Sequence, residues 1–168
     1  MSVLAIWVDG ASNVHDKKLP GGWASVYVYN RMLMQVQYDG ECPTTNQRME
    51  LMGALMGLKN LNLYDTLKNL EYNEINMYSD SAYLINCMNE RWYVKWRFNN
   101  WKTGDFHDTV KGGQAVKNRD LWEELLSLVE ELKSKHIYVR WVKVKGHKGL
   151  VFNEVADKLA VKGKKSVV

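Results

Sequence analysis

The chain has few of the residues that staple or interrupt a fold: two cysteines, Cys42 and Cys87, and two prolines among 168 residues. Two distant thiols without CxxC spacing supply neither a disulfide framework nor a zinc site, and they fit a reducing compartment. No run approaches the roughly 18 uninterrupted apolar residues of a membrane-spanning helix. The start, MSVLAIWVDG, carries no basic leader and reaches an acid after a short apolar stretch, so a soluble cytoplasmic protein with no membrane partner is expected. Repeats, low-complexity tracts and linkers are missing as well. A chain of this length fits one domain with a substantial core, expected over residues 1–163, with a basic insertion at about 91–119 and a short basic tail at 164–168.

Positive charge is modest in total, net +4, but unevenly placed. Residues 91–119 hold seven basic side chains (Arg91, Lys95, Arg97, Lys102, Lys111, Lys117, Arg119) against two acids, Asp105 and Asp108. A second basic concentration runs from Arg140 to Lys165. Such surface suits a polyanionic partner; the plain alternative is two solvated faces that aid solubility.

Hydrophobic periodicity predicts strands at 3–9, 23–30, 32–38, 74–79 and within 136–147, with PGG at 20–22 as a turn and Asn30-Arg31 as a tight hairpin. Thr44 and Gln47 are spaced as a capping box for a helix whose face carries Met49, Met52, Leu55, Met56, Leu58 and Leu61. Residues 62–73 read as a loop or irregular helical extension. Ser81 can cap a helix to about Asn89, and 91–119 is the least regular stretch. Asp120 and Glu123 give a cap pattern before the stripe Leu121, Leu125, Leu128, Val129 and Leu132, and NEVADKLAVKG is a last helix. The order βββαβααβα combines an antiparallel meander with helical crossovers, which predicts an α/β fold with a mixed five-stranded sheet flanked by helices.

Four acids stand in unusual local contexts: Asp9 in IWVDGAS, Glu50 in TTNQRMEL, Asp80 in MYSDSAY and Asp157 in NEVADKLA. Each has an ordinary explanation. Asp9 can end a strand in a turn with Gly10, Glu50 can be a first-turn acid facing the helix dipole, Asp80 can cap the following helix, and Asp157 can be an exposed helical carboxylate. If the four meet, they repel one another and raise one another's pKa, unless hard divalent cations neutralise them. Mg²⁺ is held by such carboxylates together with substrate phosphates, so the set points to phosphoryl-transfer chemistry.

DGAS on a strand, TNQRMEL opening a helix, SDSAY after a strand, a Trp-rich basic insertion ending in VKNRDLW, and VKGHKG followed by NEVADKLA occur together and in order. In this the chain resembles a type 1 ribonuclease H of the bacterial kind, from about residue 3 to residue 163, with no hybrid-binding extension expected ahead of it. The resemblance implies an RNase H-like fold and an endonuclease that hydrolyses the RNA strand of RNA/DNA hybrids, leaving 5′-phosphate and 3′-hydroxyl ends, with primers and R-loops as targets. It implies Asp9, Glu50, Asp80 and Asp157 as catalytic metal ligands for two Mg²⁺ ions, with Mn²⁺ as an alternative. One ion would activate the attacking water and the other would stabilise the leaving 3′ oxygen.

The same resemblance makes His147, in the Gly-flanked loop KGHKG, a proton shuttle or product-release residue, against the plainer reading of a polar turn histidine. It makes Asn46, with the backbone of Gly10 and Ala11, a reader of 2′-hydroxyls in the minor groove. Trp92, Trp96 and Trp101, interleaved with Lys95 and Lys102, would grip the DNA strand, unless that segment is an amphipathic helix docking its tryptophans in the core. Thr45 and Asn118 match positions that hold a DNA phosphate, though Thr45 can equally be a helix cap and Asn118 a turn residue. The chain departs from the family at Ala82, where a glutamine is frequent, at Pro43, where some relatives have an arginine, and in the longer first loop NVHDKKLPGG. These changes bear on strictness of substrate selection more than on catalysis. A monomer is expected. The rival readings are a non-catalytic hybrid-binding protein and a DNA-directed nuclease or integrase-like domain on the same fold; an exonuclease of the Asp-x-Glu class does not fit Asp9-Gly10-Ala11.

Overall fold

The computed structural model describes residues 2–103, 113–145 and 150–168. Five strands form one sheet: β1 (Ser2–Ser12), β2 (Gly21–Tyr29), β3 (Met32–Glu41), β4 (Tyr72–Ser79) and β5 (Tyr138–Lys143), in the spatial order β3-β2-β1-β4-β5. β1 pairs antiparallel with β2 and β2 with β3, whereas β1–β4 and β4–β5 are parallel, so the mixed sheet has the expected architecture. β1 lies at the centre, which explains why its sequence is continuously apolar instead of alternating.

Even-numbered β1 residues Leu4, Ile6 and Val8 face the main core. There they pack under α1 (Asn46–Lys59), α3 (Ala82–Glu90) and α5 (Arg119–Ser134), with Leu51, Leu55, Leu84, Trp122 and Leu125 buried among them. The odd-numbered Ala5 and Trp7 face the other side, where α6 (Val151–Ser166) lays Phe152, Ala156 and Leu159 against Val26 and Val28. Two short helices, α2 (Asp65–Lys68) and α4 (Trp92–Phe98), are the remaining helices among the described residues. α1 is buried on more than one side because it is sandwiched between sheet and α5: Leu51 and Ala54 are buried beside the expected Met49, Leu55 and Leu58. None of the helices among the described residues is long and apolar enough to cross a membrane.

Several local expectations shift. Gly21 and Gly22 do not form a turn; they lie inside β2, paired with Ser12 and Ala11. Their smallness serves packing, because a Cβ on Gly22 would run into the backbone of Ala160 and Lys164, so glycine lets α6 lie directly on the sheet. The turn sits earlier, closed by Leu19 N–H donating to the Asp16 carbonyl at 2.9 Å. Thr45, not Thr44, caps α1, its hydroxyl accepting from Arg48 N–H at 3.2 Å. Thr44 is buried and donates to Glu41 Oε2 instead.

The last turn-and-helix signals shift in the same way. α5 begins at Arg119 after Asn118 in the left-handed conformation, so Asp120 is a first-turn acid rather than the cap. Residues 62–73 contain α2 and the first residues of β4, and α6 continues through Ser166, absorbing most of the basic tail. Ser81 does cap α3, accepting from Leu84 N–H at 3.2 Å. The hairpin at Asn30-Arg31 has positive φ at both residues, 51° and 66°, the type I′ geometry that suits the twist of the flanking strands.

Candidate active site

Asp9 lies near the end of β1, Asp80 just beyond the end of the neighbouring parallel strand β4, and Glu50 in the second turn of α1. Glu50 therefore sits beyond the first turn, where the helix dipole would account for it, and it is buried. What brings it to Asp9 is Gly10: a Cβ there would collide with the backbone of Met49 and Glu50, so glycine allows α1 to cross β1 in direct contact. One carboxylate oxygen from each of Asp9, Glu50 and Asp80 lies within 4.8 Å of the other two.

Three acids so close strain their own ionisation. Burial first, then the charge of Asp80, push the Asp9 carboxyl up to about 7, against a partial offset from Gly10 N–H, which donates to Asp9 Oδ1 at 2.9 Å. Glu50 is likewise raised well above its ordinary value, by burial first and then by Asp9 and Asp80. Glu50 Oε2 is fully buried and has no hydrogen-bond partner. A buried glutamate with one unpartnered oxygen, grouped with two further carboxylates, is the donor set a hard divalent cation takes, and the residues present fit such an ion.

Asp157 is not part of this tight group. It is exposed on α6, yet near enough that its charge contributes to raising Asp9. Of the expected four, Asp9 and Glu50 are buried, Asp80 is half-buried beside them, and Asp157 stands at the rim. His147 lies outside the described residues, as do Lys111, Asp105 and Asp108.

The expected substrate contacts fall into two groups. Around the α1 start, Asn46 is exposed, and Thr45 uses its oxygen as a cap acceptor, which leaves its O–H free to donate. Asn118 sits across from them, its Oδ1 within 3.4 Å of an Arg48 nitrogen and its Nδ2 within 3.4 Å of the Tyr83 hydroxyl. In the insertion, α4 exposes Lys95, and Lys102 is exposed just beyond it. The tryptophans are half-buried: Trp92, Trp96 and Trp101 form a chain of rings, and Trp96 meets the core residue Trp122 edge-on at 5.7 Å. The docked-helix alternative therefore accounts for part of this motif, with the basic side chains left on the outside.

Arg48 was not among the candidate residues. Its guanidinium pairs with Asp120 at 2.8 and 3.0 Å and with Glu41 at 3.1 Å, tying the α1 start to β3 and α5 and holding the Asp120 carboxyl below its usual range. The signal was its place between Thr45 and Glu50 in one motif; what hid it was that Asp120 is 72 residues away and Glu41 belongs to another element.

The RNase H family model matches residues 1–165. A ribonuclease H of Caldanaerobacter subterraneus subsp. tengcongensis is 39% identical over 158 residues, covering 94% of this chain and 88% of its own. One from Syntrophomonas wolfei is 37% identical, with 99% of both chains covered. Among solved structures, LC9-RNase H1, described as a type 1 RNase H with the type 2 active-site motif, has a TM-score of 0.72 at 24% identity, covering 100% of this chain and 74% of that one. LC11-RNase H1, solved in complex with an RNA/DNA hybrid, has a TM-score of 0.65 at 16% identity, with 98% of both chains covered; both likenesses concern the fold. The chain belongs to the RNase H family and is an enzyme of the ribonuclease H kind.

Proposed function

We propose that the protein is a monomeric endonuclease that hydrolyses the RNA strand of RNA/DNA hybrids, leaving 5′-phosphate and 3′-hydroxyl ends and serving primer and R-loop removal. The observation that carries this reading is the close Asp9–Glu50–Asp80 triad, with Asp9 and Glu50 buried and one Glu50 oxygen unpartnered, in a chain of this family. Asp9, Glu50 and Asp80 would hold divalent cations, Mg²⁺ before Mn²⁺, and Asp157 would add a fourth carboxylate from the rim. Bound there, two such ions would supply a nucleophile from water at neutral pH and neutralise charge at the scissile phosphate.

The rest of the work belongs to the chain's own groups. The Thr45 hydroxyl, Asn46 and Asn118 line one side of the approach and are of the type that meets phosphate and 2′-hydroxyl oxygens, together with the backbone at Gly10 and Ala11. Trp92, Trp96 and Trp101 make a firm apolar platform, with Lys95 and Lys102 as cations for the DNA strand. A similar fold solved with an RNA/DNA hybrid supports the choice of substrate.

The test is cleavage of end-labelled RNA presented single-stranded, in duplex RNA and in an RNA/DNA hybrid, with Mg²⁺, with EDTA, and with Asp9→Asn. Hybrid-only, metal-dependent cutting lost in Asp9→Asn is the expected result. Binding without cutting would make the protein a hybrid-binding module, and cutting of duplex DNA at a comparable rate would favour a DNA-directed nuclease.

A further inference from the structure

On the face of the sheet covered by α6, three aromatic rings stand in line beneath the acids. Trp7 of β1 and Tyr78 of β4 are partners across the parallel pair, and their rings stack at 4.2 Å with an interplanar angle of 11°. Phe152, in the first turn of α6, meets Trp7 in a tilted contact at 6.2 Å and 44°. These three elements also carry three of the four acids. Asp9 follows Trp7 by two residues and so projects from the same face of β1, roughly 7 Å further along. Asp80 follows Tyr78 by two residues, and Asp157 follows Phe152 by little more than one helical turn.

We propose that Tyr78, Trp7 and Phe152 are positioning residues for the acidic cluster, a ring stack that sets the spacing of β4, β1 and α6 and so the separation of Asp80, Asp9 and Asp157. The reason is mechanical. Asp9 and Asp80 repel each other, and both lie at or past the end of the β1–β4 pairing: the last paired residues are Trp7 and Tyr78 themselves. The β1–β4 register ends at that pair, so this ring pair is the last paired position before the acids. Two flat rings at contact distance fix one separation, whereas a pair of flexible aliphatic side chains tolerates several. Phe152 extends the constraint to α6, and Gly22 lets that helix lie close enough for the contact to form. Oxygen ligands for a small divalent ion must be placed within about half an ångström to bind well, so the stack governs cation affinity without touching the cation.

The proposal rests on the acidic cluster being the cation site, and the experiment separates the two. Mn²⁺ binding to the metal-free protein is followed by electron paramagnetic resonance for the wild type, Trp7→Leu, Trp7→Phe, Tyr78→Leu and Asp9→Asn, with circular dichroism and thermal unfolding recorded for each. Trp7→Leu and Tyr78→Leu should weaken Mn²⁺ binding by roughly 10- to 100-fold, the range for residues that orient metal ligands from behind, and Trp7→Phe should restore most of it. A purely structural role would lower melting temperature while leaving the affinity of the folded protein unchanged; wild-type affinity in folded Trp7→Leu or Tyr78→Leu overturns the proposal. Tyr78 is half-buried, so Tyr78→Leu carries the test if Trp7→Leu does not fold. Absence of Mn²⁺ binding by the wild type, or undiminished binding by Asp9→Asn, overturns the cation site itself and this proposal with it.

Discussion

Replacing Asp9 by asparagine removes one of three mutually repelling carboxylates while keeping an Oδ1 acceptor for Gly10 N–H, so without divalent cations it should stabilise the protein at neutral pH. The size follows from the titration. In the folded chain Asp9 keeps its proton up to about 7, against 3.8 for an unperturbed group. Between those values the folded state binds more protons than the unfolded one, so stability falls as pH rises and the full penalty is present above the folded value. From pH 5 to pH 8 about two units of that interval are crossed, worth roughly 3 kcal/mol at about 1.4 kcal/mol per unit.

The assay is urea unfolding in EDTA at pH 5 and pH 8 for wild type and Asp9→Asn. The wild type should lose roughly 2–3 kcal/mol more than the variant over that range, and Mg²⁺ should recover the loss for the wild type alone. A variant no more stable than wild type at pH 8 in EDTA would refute the account of an electrostatically frustrated cluster. Activity should move the opposite way, since the variant lacks one of the proposed cation ligands. A stabilised, inactive protein is the joint signature of a site built for cations instead of for stability.

Gly10→Ala should push α1 away from β1 and carry Glu50 with it; hybrid-cleavage assays should show a fall in kcat on the order of 100-fold, and Mg²⁺ titration should show weaker binding. Arg48→Ala should cost about 1–2 kcal/mol in chemical unfolding at pH 7, a figure reduced by the partial exposure of its partners. Because Asp120 is held below its usual range by Arg48, that contribution is present above the unfolded carboxylate value and is lost as pH falls through the depressed one; an unchanged difference at strongly acidic pH would refute it. Arg31→Gly, at φ 66° in the hairpin, should raise stability by about 0.5–1 kcal/mol in thermal unfolding by relieving the left-handed conformation of a residue with a Cβ.

What the amino-acid order determined by itself is what lies in local pattern. β1 reads as a strand from its unbroken apolar run, Ser81 as a cap from its place before Leu84, α5 from its Leu121–Leu125 stripe, and the Asn30-Arg31 turn from two residues between strands. The four acids stood out for the same reason: each stands in an unusual local context, and together they exceed what their separate ordinary explanations cover. Tertiary structure decided everything that depends on how closely two elements approach. Gly21 and Gly22 look like a turn until Thr44 and Met49 are packed against the first and α6 is laid across the second, and Gly10 looks like the partner of a strand-end aspartate until α1 crosses it. Whether four acids make a quartet or a close triad with Asp157 at the rim depends on where α6 docks, which no local spacing encodes. The Arg48–Glu41–Asp120 pairing and the Trp7–Tyr78 stack are hidden for that reason too. Side-chain pairs of this kind are set by sheet register and helix placement, and those are fixed by burying the whole core at once.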